Sequence, residues 1–181
     1  MTLAPTLASV EALYRKAERE AYRAYHASKR LHKADHFFNF CVTAHSLRDY
    51  FFERKGIPKK DQTLYHQQWD GSAALVAVGD IANTSKHFTL RSSDGKPRTP
   101  RTKRVRTVRN DFANVFASSS GDLHTIFVPA PDVTVTLSDG KRLELHFFME
   151  EVLKYWRSYL ASQAIPIRRQ SLRQLMGQID R

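Results

Sequence analysis

Between residues 6 and 31 the apolar side chains return every third or fourth position: Leu7, Val10, Leu13, Tyr14, Ala17, Ala21, Ala24, Tyr25 and Leu31. This is the period of one helix face, and Arg15, Lys16, Arg19, Glu20 and Arg23 fill the opposite face. Residues 33–54 predict a second helix with two apolar stripes. Phe37, Phe40, Cys41, Ala44, Leu47 and Phe51 form one, and Phe38, Val42, His45 and Phe52 the other. A helix apolar on most sides belongs at the centre of a bundle, and Gly56 and Pro58 end this one. Residues 59–69 predict a short polar helix with Leu64, Tyr65 and Trp69 inward. Asp70-Gly71-Ser72 breaks it and supplies an N-cap for an Ala-rich helix over 72–86.

The period then changes. Val105-Arg106-Thr107-Val108 reads as a short edge strand inside a stretch otherwise punctuated as loop by Gly95, Pro97 and Pro100. Residues 114–121, with Ser118-Ser119-Ser120-Gly121, read as a turn, and Thr125-Ile126-Phe127-Val128 as a strand. Val133-Thr134-Val135-Thr136-Leu137 and Arg142-Leu143-Glu144-Leu145 alternate around Asp139-Gly140, a strong hairpin signal. From Phe147 the helical period returns through Phe148, Val152, Tyr155, Trp156, Tyr159 and Leu160 until Pro166. The expected fold is mainly α: a helical bundle with a small antiparallel β-hairpin or sheet before the last long helix. One domain is expected over 1–181. Its parts are a bundle over 6–90, a basic loop over 91–121, a hairpin region over 122–146, a final helix over 147–165 and a basic tail over 166–181.

Charge sharpens the picture because it is unevenly placed. The chain of 181 residues carries a formal net charge of +11, and residues 91–110 hold eight Lys/Arg against one Asp. These cations include Arg98, Arg101, Lys103, Arg104, Arg106 and Arg109, and such a block attracts phosphate backbones. RNA is therefore the expected partner, and the same residues read as a solvated loop in the plainer alternative. The longest apolar run, Ala73 to Val78, is far too short for a bilayer, so no membrane contact is expected. The first residues lack the pattern of a signal peptide, and Cys41 stands alone, so a cytoplasmic location is expected.

Two segments look familiar together: Phe40-Cys41-Val42-Thr43-Ala44-His45-Ser46-Leu47-Arg48-Asp49-Tyr50 and Val78-Gly79-Asp80-Ile81-Ala82-Asn83-Thr84-Ser85-Lys86-His87. With the hairpin at 133–140 and the Trp-bearing helix at 152–160, they resemble a group of uncharacterised small bacterial proteins with a D-I-A-N-x-x-K-H helix end. In helix order that group is similar to the HEPN superfamily (higher eukaryotes and prokaryotes nucleotide-binding). The resemblance implies a helical bundle, often dimeric, that engages RNA. Many HEPN proteins are metal-independent ribonucleases of toxin–antitoxin and phage-defence systems, which implies an antitoxin or other protein partner. The superfamily's signature, Arg followed after four to six residues by His, occurs here only as Arg19/His26 and Arg30/His36, early in the chain. Its usual place holds Asn83-x-x-x-His87 instead.

Asp80, Asn83 and His87 are spaced to share one face of the Ala-rich helix, and polar groups on an inner face need partners. A catalytic reading has His87 as acid/base, Asn83 and Asp80 beside it, and Arg48 from the neighbouring helix as the phosphate-stabilising fork. The alternative is structural, with Asp80 and Asn83 bonded to His45 or Arg48, in a non-catalytic interaction module. His32 and His36 have metal-ligand spacing but no third ligand nearby, and there is no Gly-rich phosphate loop. No metal and no cofactor are expected.

Overall fold

In the computed structural model, which describes residues 7–86 and 99–168, the apolar stripes of the first half become four helices. α1 (Val10–His26) starts where Ser9 accepts the Ala12 N–H at 3.1 Å, an N-cap reinforced by Glu11 in the first turn. It buries Val10, Leu13, Tyr14, Ala17, Ala21 and Ala24. The single helix expected over 6–31 is interrupted at 27–29, and α2 (Arg30–Lys55) begins there, leaving Leu31 75% exposed. α2 packs on α1, α4, α5 and the sheet, which is the central place its two apolar stripes require. It ends at Gly56, whose φ of 64° lets the Ile57 N–H reach back to the Phe52 carbonyl at 2.9 Å.

After a 3-10 turn at Lys59–Asp61 come α3 (Gln62–Asp70) and α4 (Ala73–Lys86). Tyr65 and Trp69 turn inward as expected, but Leu64 is 73% exposed, because α3 is short and buries only the stripe through Trp69. The final helix, α5 (Leu145–Ser162), starts two residues earlier than the expected 147. It contributes Phe148, Met149, Val152, Trp156 and Leu160 to the core. The centre of the bundle is aromatic: Trp69 lies 5.5 Å from Trp156, 5.2 Å from Phe52 and 5.9 Å from Phe51 between ring centroids. Such edge and tilted pairs stabilise beyond their buried area. Among the described residues no helix is long and apolar enough to cross a membrane.

Three antiparallel strands in the order β1-β2-β3 precede α5, so the mainly α fold with a small sheet before the last long helix is present as expected. Their extent is not. β1 (Arg104–Ala117) and β2 (Leu123–Thr136) pair over their whole length, from Arg104 opposite Thr136 to Ala117 opposite Leu123. The stretch 91–121 expected as a basic loop is therefore, from 104 to 117, a strand. The turn between the strands is held by the Ser118 N–H on the Asp122 carbonyl at 2.8 Å and by Gly121 at φ 88°. β3 (Arg142–Glu144) follows the Asp139-Gly140 turn, with Gly140 at φ 93°.

The inner end of β2 is buried: Val133 and Val135 join the hydrophobic core, and Asp132 and Thr134, which alternate with them, are buried as well. The outer end, 123–129, is exposed on both faces, so β1 and β2 leave the bundle as a two-stranded ribbon. Pro129 and Pro131 sit within it. The Leu137 N–H bonds the Lys141 carbonyl at 2.9 Å, away from β1. By alternation, the other odd-numbered residues of β2, the two prolines included, also turn their amide positions away from β1.

Candidate nucleic-acid interface

Directly opposed residues of antiparallel strands project from the same face, so the register sorts the basic residues. Thr136 lies opposite Arg104 on one side and Arg142 on the other. Thr134, the next residue on that face, lies between Arg106 and Glu144. With strands about 4.8 Å apart, the α-carbons of Arg104 and Arg142 stand about 10 Å apart across one rung. Arg104, Arg106 and Arg142 are all exposed, and among the described residues none of them forms an ion pair. Three guanidinium groups on one sheet face repel one another and are suited to hold a polyanion.

Further along the same face are Val108, Asn110 and Phe112 of β1 and Asp132 of β2, where the Asn110 amide donates to Asp132 at 2.8 Å. There the face meets the end of α1 and the start of α5. A cleft of about 440 Å³ opens between Tyr25, Phe112, His146 and Phe147, with Asn110 and Glu144 at its wall. The Tyr25 ring is 6.3 Å from Phe112 and 5.1 Å from His146. The Lys33 ammonium, buried under α1 and donating to the Tyr25 carbonyl at 2.8 Å, lies 5.6 Å from the Phe112 ring. Burial lowers the Lys33 pKa, and Asp132 partly offsets this. Half-exposed aromatic rings further along the face from arginines that form no ion pair among the described residues make a surface that can stack bases and hold phosphates together.

The six basic residues expected to bind nucleic acid are divided by the fold. Arg104 and Arg106 lie on this face. Arg109 is exposed on the opposite face, beside Pro131. Lys103 is exposed next to β1, its N–H on the Thr136 carbonyl at 3.0 Å. Arg101 is drawn to Asp70 at 3.0 Å. Arg98 lies outside the described residues. Arg142, Tyr25, Phe112 and His146 complete the face and come from β3, α1, β1 and α5. No periodicity marks them, and only the two-sided pairing of Thr136 brings Arg142 beside Arg104.

Of the expected catalytic group, Arg48, Asp80 and Asn83 are among the described residues. His87 lies outside the described residues. Arg48 is buried, donates to the Leu75 carbonyl at 3.4 Å and lies 5.5 Å from the Trp69 ring. Desolvation lowers its pKa, against the opposing charge of Asp70. Asp80, also buried, accepts the Thr102 N–H at 2.8 Å and the Thr102 hydroxyl at 2.9 Å. Asn83, a turn later, is half-buried. Arg48 thus bonds at the start of α4, and Asp80, more than a turn further on, bonds Thr102. His36 turns to α1, its Nδ1 3.0 Å from the buried Glu20, which also accepts from Arg23 at 3.0 Å. The chain matches no protein-family model, no curated protein and no solved structure.

Proposed function

We propose that this protein binds single-stranded RNA along the sheet face that carries Arg104, Arg106 and Arg142. The observation that carries the proposal is the rung in which Arg104 and Arg142 flank Thr136, with Arg106 next on the same face and no ion pair to any of the three among the described residues. Phosphates are held by these arginines, and bases stack on Tyr25 and Phe112 at the cleft. The cleft's Asn110, Asp132 and Glu144 accept or exchange hydrogen bonds with exocyclic amino groups rather than with phosphate.

The two halves of the surface separate in one experiment: fluorescence anisotropy with a labelled single-stranded RNA at salt concentrations from about 50 to 200 mM. Replacing Arg104, Arg106 and Arg142 together by Ala is expected to reduce the salt slope by about 2, since each phosphate contact contributes about 0.7 on a single strand. Tyr25→Ala is expected to weaken binding by about 1–3 kcal/mol while leaving the slope in place. Unchanged affinity and slope in the triple variant would overturn the proposal.

A further inference from the structure

The ribbon carries a second, separate oddity. β1 lies at the edge of the sheet, and its outer side is unpaired among the described residues along all fourteen positions. Pro129 and Pro131 can take only positions that do not donate into the β1–β2 ladder, so the residues opposite them, Asp111 and Arg109, also turn their N–H and C=O away from β2. Every odd residue from Val105 to Val115 therefore presents its backbone to the open edge. On this strand Val105 is 44% exposed and Val115 62% exposed.

We infer that the open edge of β1 pairs with the β1 strand of a second copy of this chain, antiparallel and centred on Asn110. The centre follows from charge and parity. Two copies related by a two-fold axis must place some residue of β1 opposite itself, and each face then meets its own kind. Centring on Arg109 sets Arg against Arg, and centring on Asp111 sets Asp against Asp. Centring on Asn110 sets Arg109 opposite the second copy's Asp111 twice over, and Val105 opposite Val115 twice over. The basic half of each strand, Arg104 to Arg109, then lies opposite residues 111–116, which contain no Lys or Arg. From 110 to 131 the chain has no Lys or Arg at all and two Asp, so in a protein of net charge +11 the ribbon is where two copies approach with least repulsion. Arg109 and Asp111 make no ion pair among the described residues and are both exposed, ready to meet a partner. The pairing is independent of RNA, because it uses the opposite face and the backbone edge.

Sedimentation equilibrium on the full chain, freed of nucleic acid by nuclease, tests this. The wild type is expected to dimerise. Arg109→Asp and Asp111→Arg are each expected to weaken the dimer about ten-fold, since symmetry puts each reversal into two cross-strand pairs. An equimolar mixture of the two single variants restores opposite charges at both pairs and is expected to associate as tightly as the wild type. The chain carrying both reversals is expected to do the same, and its unchanged composition guards against a folding defect in the singles. A wild type that stays monomeric at every concentration, a dimer indifferent to both reversals, or a mixture no tighter than its components would each overturn the inference.

Discussion

Ala164 holds a left-handed backbone, φ 59°, just beyond α5, where the Ile165 N–H closes on the Leu160 carbonyl at 2.8 Å. A β-carbon in that conformation costs about 1–2 kcal/mol, against a smaller gain from a stiffer unfolded chain. Ala164→Gly is therefore expected to stabilise the protein by about 0.5–1 kcal/mol, read as a higher urea midpoint at constant slope. At the Asp80 carboxylate the sign reverses. Asp80→Ala strands the Thr102 N–H and hydroxyl at a buried acceptor's place, and a loss of about 2–3 kcal/mol is expected in the same measurement. That Asp80 and Arg48 need partners was legible in the sequence, because polar groups stand on faces otherwise made of Ala, Val and Phe. Which partners they take was not. Thr102 lies 22 residues further on, and a backbone carbonyl such as that of Leu75 leaves no trace in a pattern of side chains.

Elements differ in how plainly they are written. α1, α2 and α5 each bury a face against one core, so burial imposes a period of 3.6 and the sequence displays it. β1 has no such imprint. Most of its length is exposed on both faces, its arginines at 104, 106 and 109 read as solvated loop, and two prolines interrupt its partner strand. Its pairing is set by the turn at Gly121 and by the buried inner end of β2, both distant from those arginines in sequence. Within α1, Tyr14 is fully buried, and its hydroxyl donates to the Leu153 carbonyl of α5 at 3.1 Å. Burial, and then the charge of Glu18, push its pKa up to about 12. The unfolded tyrosine ionises near pH 10, so the folded chain keeps its proton longer. The stabilisation is complete below about pH 10 and is lost as pH rises through about 12, amounting to about 2–3 kcal/mol. Tyr14→Phe is expected to flatten the fall in stability over that range in pH-dependent urea unfolding.

At the scale of the whole molecule, an aromatic-centred bundle anchors a ribbon whose β2 strand is core at its inner end and surface at its outer end. The bundle fixes the ribbon by burying Val133 and Val135, and through them fixes which arginines of β1 share a face. The basic block of the sequence thus becomes several sites rather than one: a pair of arginines on the sheet face, Arg101 tied to Asp70, and Arg109 turned the other way. The two prolines of β2 have a consequence beyond parity. They leave the far edge of the sheet without donors at 129 and 131, and β3 covers only its inner end. In the proposed dimer, pairing at β1 would consume the longest uninterrupted edge among the described residues and leave outermost a β2 edge broken at 129 and 131. Assembly through this ribbon would therefore favour closure at two copies, where a chain with two uninterrupted edges would run on into a fibre.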